Sequence, residues 1–111
     1  MTIFDTLEHF KPAEFVSPDE MSERLLIRLD QMRELAGVPI KITSSYREGD
    51  KLSHGDGEAV DIACTDSDKR LLLVMAALAV GFRRLGVYDK HLHADVSERL
   101  PQEVMWWGTS K

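Results

Sequence analysis

Histidine and aspartate, the side chains that most readily bind metals and move protons near neutral pH, cluster in two short stretches of this chain. In the first, Ser53-His54-Gly55-Asp56-Gly57-Glu58-Ala59-Val60-Asp61-Ile62, His54 and Asp61 stand seven residues apart with two glycines between them. In the second, His91-Leu92-His93-Ala94-Asp95, the polar groups recur at every second position. Alternate side chains of a strand share a face. His91, His93 and Asp95 would therefore project one way, while Leu92, Ala94 and Val96 pack the other way. Three such groups on one face of a strand otherwise built for burial are costly unless they are used. The same alternation sets Val60 and Ile62 against Ala59 and Asp61, and Gly55 and Gly57 let His54 bend back toward the strand start. A catalytic zinc takes about three protein ligands and leaves a fourth position for water. His54, Asp61 and one of the later histidines would fill that scheme. Taken singly, each stretch has an ordinary reading, as a turn feeding a strand or as a solvated His-x-His strand. Together they are complementary halves of one site. Asp95 suits an acceptor that orients a ligand imidazole, or a solvated carboxylate at a strand end. His9, in the N-terminal segment, has no evident partner and reads as a surface or cap residue.

The elements that must position these groups follow from local pattern. Ser17-Pro18-Asp19-Glu20 reads as a capped helix start, with Glu20 closing a capping box. Met21, Leu25, Leu29, Met32 and Leu35-Ala36 recur at helical spacing, and Gly37 supplies the stop. Val38–Ser44 reads as a β-branched strand with Ile40 and Ile42 on one face, and Ala59–Ala63 as a second strand. Asp66 or Ser67 caps a helix from about Asp68 to Val80, ending at Gly81. Leu85–Tyr88 and Leu92–Val96 are short strands around a turn at Asp89-Lys90. The expected fold is α+β, a small and mainly antiparallel sheet that packs one face on helices and leaves the other free for a site.

Bulk properties bound the rest. The 111 residues allow one domain, 1–111, and are too few for two comfortable cores. The apolar run Leu71–Val80 falls short of the roughly 20 residues that cross a bilayer, so no membrane span is expected. The N-terminal MTIFDTLEHF has no basic region leading into an apolar stretch, so no secretory signal is read there and synthesis is expected to be cytoplasmic. Cys64 is the single cysteine, which leaves no internal disulfide and suits a buried structural thiol. A net charge of −5, with basic residues scattered and paired only at Lys69-Arg70 and Arg83-Arg84, argues against a nucleic-acid footprint.

His54-x-x-Gly57-x-Ala59-x-Asp61 resembles the HxxGxAxD signature of the D-alanyl-D-alanine carboxypeptidase family of zinc peptidases. That family includes D-Ala-D-Ala dipeptidases and phage L-alanyl-D-glutamate endopeptidases, and is similar in fold to the Hedgehog signalling domain. Ile42-Thr43-Ser44-Ser45-Tyr46-Arg47 resembles its strand ending in Thr-Ser-x-Tyr-Arg, and Leu92-His93-Ala94-Asp95 its second ligand motif. The likeness runs in order from about Phe10 to Trp107. It implies that His54, Asp61 and His93 bind zinc, and that Arg47 grips a substrate carboxylate or main-chain carbonyl with its planar fork. Ser45 and Tyr46 are candidates to help bind substrate, with packing an equal reading for Tyr46. Dipeptidases of the family carry Glu three residues before the second histidine ligand, where this chain has Lys90. The wider group that includes lysostaphin uses His-x-His, and His91-x-His93 resembles it. His91 is accordingly the expected general base or transition-state stabiliser, with Asp95 as the alternate. The family's usual Ser two residues before its first ligand is Leu52 here, with Ser53 adjacent, and the Arg47–His54 loop is short.

The resulting expectation is a monomeric zinc metallopeptidase that uses zinc-activated water to cleave an amide in peptidoglycan or a D-amino-acid-containing peptide. A phage-encoded lysis protein released to the cell wall would suit the missing signal. The alternative is a non-catalytic, zinc-stabilised binding module of the same fold, and a third reading is a structural domain with surface histidines. Of Met105-Trp106-Trp107, at least one tryptophan is expected to close the core.

Overall fold

In the computed structural model, which describes residues 1–110, the first helix, α1, spans Glu23–Ala36. It starts later than Ser17. Pro18–Glu20 makes only a single 3-10 turn, with Ser17 in the left-handed region at φ 49°. The helix is started instead by Ser22, whose Oγ accepts the Leu25 N–H at 3.3 Å. The Ser22 N–H donates to the Gly57 carbonyl at 2.8 Å, so a long-range contact fixes where the helix begins. Gly37, at φ 70°, ends it as expected. Leu25, Leu26, Leu29, Met32 and Ala36 form its buried stripe.

Strand β1 is shorter than the expected 38–44 and covers Ile42–Ser44. β2 is Ala59–Ala63, matching the sequence reading residue for residue, and α2 is Ser67–Ala79 with Asp66 at the cap position. β3 (Arg84–Tyr88) and β4 (His91–Asp95) flank the expected turn. A fifth strand, β5 (Val104–Gly108), was not expected as a strand. The sheet order is β1-β2-β4-β3-β5, antiparallel throughout except for the parallel β3/β5 pair. The fold class is α+β.

Both helices pack on one face of the sheet. Leu29, Met32, Leu73 and Ala77 meet Val60, Ile62, Leu85 and Leu92 in one continuous core, and burying each large side chain contributes about 1.5–3 kcal/mol. Cys64 is buried at the margin of this core, its Sγ 3.7 Å from the Asp66 carbonyl, and burial pushes its thiol pKa up. The other sheet face carries a row of side chains set by register. Asp61 of β2 lies beside His93 of β4, which lies beside Gly86 of β3, which lies beside Trp106 of β5. A Cβ on Gly86 would sit 2.6 Å from Trp106 Nε1, so the missing side chain is what lets the indole fold inward. Trp106 reaches within 5.3 Å of the His93 ring and donates Nε1–H to Tyr88 OH at 2.9 Å, while Trp107 points away from this face.

Candidate metal centre

His54 arrives at this face from a tight turn rather than from a strand. Gly57 adopts φ 71°, and a Cβ there would lie 1.9 Å from the Glu20 carbonyl oxygen, so only glycine passes this point. The turn is tied to the end of β1 by the Arg47 N–H, which donates to the His54 carbonyl at 3.0 Å. His54 Nδ1–H donates to the Ser45 carbonyl at 2.8 Å, which leaves Nε2 as the nitrogen turned toward Asp61. That nitrogen is 3.4 Å from Asp61 Oδ1.

His93 is held the other way round. Its Nε2 is 2.6 Å from Asp95 Oδ2, and its Nδ1 is 3.2 Å from the same Asp61 Oδ1. The ligand atoms of His54, Asp61 and His93 all lie within 4.8 Å of one another, so this group could hold a metal ion. Each imidazole has its second nitrogen anchored by an acceptor, the arrangement that orients histidine ligands.

Asp95 is fully buried. Besides His93 it receives Arg84 Nε at 2.7 Å, Ser53 Oγ at 3.1 Å and the Ser97 N–H at 3.1 Å. The structure therefore corrects the alternate role of Asp95 as a base facing substrate: it stands behind His93 and orients it. Ser45 needs the same correction. It is buried, its Oγ accepts the Val16 N–H at 2.9 Å, and its contribution to the site is the carbonyl under His54. Tyr46 packs against the core, and neither residue lines the cleft.

A cleft of about 910 Å³ opens above the group. Arg47 and Asp50 stand on one wall, and Tyr88, His91 and Trp106 on the other. Arg47 is half exposed; its Nη1 pairs with Asp50 at 3.2 Å, and its Nη2 donates to Ser44 Oγ at 2.8 Å and reaches within 4.0 Å of Asp61. His91 stacks on Tyr88 at 4.2 Å between centroids, with Nδ1 2.9 Å from Ser110 Oγ and Nε2 4.0 Å from Asp61 Oδ1. All three expected metal ligands, together with Arg47 and His91, thus converge on one cleft. His9 is elsewhere, 2.6 Å from Glu34 and with its N–H on Asp30, tying the N-terminal segment to α1.

Sequence reasoning missed Arg84, Ser53 and Trp106. Arg84 bonds Asp95 and the Pro101 carbonyl and lies 5.2 Å from the Trp106 ring centroid. The alternation Arg84, Gly86, Tyr88 carries a signal for it, but only once β3 is known to pair with β4 in the observed register.

The electrostatics are dominated by two carboxylates around one imidazole. Burial works to raise the Asp61 pKa, but hydrogen bonds from His54 and His93 outweigh it and hold the carboxyl well below the usual range. For Asp95, too, burial is outweighed, first by His93 and then by Arg84. Burial works to lower the His93 pKa, and its bonds to Asp61 and Asp95 reverse that and raise it. A raised folded-state pKa adds stability that is complete below the unfolded value of about 6.5 and is lost as pH rises through the folded value. The lowered carboxyls add stability above about 3.9 that is lost as pH falls through their folded values. In chelator, the thermal midpoint should accordingly be higher at about pH 6 than at about pH 8.5 through this group. A saturating metal ion, which needs His93 Nδ1 deprotonated, should abolish that alkaline decline. A chelated midpoint that instead climbs across this interval contradicts the assignment.

No protein-family model and no curated protein matches this chain. No helix among the described residues is long and apolar enough to cross a membrane.

Proposed function

We propose that this chain is a zinc-dependent peptidase that hydrolyses an amide bond in peptidoglycan stem peptides or cross-links. The observation that carries the reading is the convergence of His54 Nε2, Asp61 Oδ1 and His93 Nδ1 on the floor of an open cleft. The donor set fits zinc. Two ligands of a tetrahedral ion at about 2.0–2.1 Å stand about 3.3–3.4 Å apart, and the two nitrogen–oxygen separations here are 3.4 and 3.2 Å. Bound zinc would supply Lewis-acid activation of water and of the scissile carbonyl.

The chain's own residues do the rest. Ser45 and Asp95 fix the two imidazoles so that the correct nitrogen of each faces Asp61. Arg47 offers a half-exposed fork for a substrate carboxylate, which suits a stem peptide with acidic ends. His91 Nε2 exchanges protons with water and with the departing amine. Tyr88 and Trp106 form an aromatic wall that excludes bulk water from that side. The peptidoglycan assignment rests on the three ordered motifs that resemble the D-alanyl-D-alanine carboxypeptidase family, and delivery to the wall as a phage lysis protein belongs to the same reading. Lys90, exposed in the β3–β4 turn where dipeptidases carry Glu, favours the second reading, a zinc-stabilised binding module.

Protein purified without a histidine tag should carry about one zinc per chain and release new amino and carboxyl ends from purified sacculi. Zinc retained without release at any pH selects the binding module. No zinc and no response to chelator rejects both.

A further inference from the structure

Two loops leave the sheet at the same end. The 45–58 segment joins β1 to β2, which begins at Ala59. The 96–103 segment joins β4, which ends at Asp95, to β5, which begins at Val104. Register sets Ala59, Asp95, Arg84 and Val104 side by side, so both loops rise from one edge of the cleft floor. Arg99 fastens them together. Its Nε donates to Asp56 Oδ2 at 2.8 Å and its Nη2 to the Lys51 carbonyl at 2.6 Å. The residues next to this clasp, Leu52 on one loop and Leu100 with Pro101 on the other, line the cleft. Arg84 adds no free charge there, since Asp95 and the Pro101 carbonyl already engage it. At the opposite end β2 leaves for α2 on the core face of the sheet. Among the described residues, no hydrogen bond or ion pair joins the Arg47 wall to the Tyr88 wall.

We propose that the Arg99 clasp makes the cleft blind at this end and so favours peptides that stop shortly beyond the bond to be cleaved. The inference rests on the peptidase reading and names its preferred substrate, a stem with a free end over one joined to a second stem. Asp95 lies two positions beyond His93, about 7 Å along the strand, which is the length of about two extended residues. A chain end of one or two uncharged residues therefore fits between the metal centre and the clasp, among Leu52, Leu100 and Pro101. The long side of the peptide leaves by the open end, past Tyr88 and Ser110. A cross-linked stem continues on both sides and has to part Arg99 from Asp56 and Lys51. The ion pair is partly exposed, so the clasp opens at moderate cost and the preference is graded.

The zinc-loaded protein should cleave a free-ended stem peptide about tenfold faster, in kcat/KM, than the same stem in a cross-linked dimer. Arg99→Ala and Asp56→Ala, both at exposed positions, should each narrow that ratio about threefold or more by speeding the dimer, with the free-ended rate unchanged. Phosphinate analogues of the two peptides, which bind zinc and are not cleaved, read the same ratio as affinity by calorimetry. An affinity ratio that both variants narrow, in a protein with no turnover, rejects the peptidase and supports the clasp. Equal affinity for the two analogues, or a ratio that neither variant changes, overturns the proposal.

Discussion

Asp61→Ala should give a folded protein that keeps no stoichiometric metal ion and releases no peptide ends from sacculi above background. Asp61 Oδ1 is the one atom that both ligand imidazoles face, at 3.4 Å from His54 and 3.2 Å from His93. Arg47 and His91 come within 4.0 Å of the same carboxylate. Its removal leaves two nitrogen ligands, one fewer than a catalytic zinc site provides. It also removes the one carboxylate that both ligand imidazoles face, leaving no anionic ligand in the set to offset the charge of a dication. The loss of affinity should therefore exceed the 10–100-fold that follows when a residue merely orienting a ligand is changed. The fold should survive, because Val60 and Ile62 on the opposite face of β2 hold that strand in the core. Metal content after gel filtration, with turnover measured on the same sample, checks the claim. A variant with one ion per chain and unreduced turnover sinks it.

That Asp61 and His93 share a face was legible in the sequence, since the two-residue period of a strand fixes facing without any knowledge of neighbours. The pairing of β2 with β4 then sets Asp61 directly beside His93, and both strands were bounded nearly correctly. What stayed hidden depends on partners distant along the chain. Nothing local marks Ser22 over Ser17 as the helix start, because the Gly57 carbonyl makes the choice. Ser45 resembled part of a binding motif, yet the Val16 backbone claims its hydroxyl. Arg84 looked like half of a surface Arg-Arg pair until register placed it against Asp95. β5 has no hairpin partner: it joins parallel to β3 after a crossover, and such a pairing leaves no turn signature between the two strands.

His91→Ala should lower turnover of a peptidoglycan cross-link about 10²–10⁴-fold, the usual worth of a general acid–base group, while zinc content and thermal midpoint are kept. His54 and His93 each have both nitrogens committed, one to an anchoring acceptor and one toward Asp61. His91 alone among the cleft imidazoles has a ring nitrogen, Nε2, within 4.0 Å of the ligand group without being needed to complete it. That is the reach of one intervening water, which suffices for proton transfer. Stacking on Tyr88 and the contact of Nδ1 with Ser110 hold the ring so that Nε2 faces inward. Asp95 cannot substitute, since it is fully buried with both oxygens engaged. Asp95→Asn should act through its neighbour instead, weakening metal retention about 10–100-fold before it touches the turnover of metal-saturated protein. The pair of variants separates the two roles. Turnover kept by His91→Ala at full zinc content puts the proton transfer elsewhere, whereas zinc lost from that variant moves His91 into the ligand set.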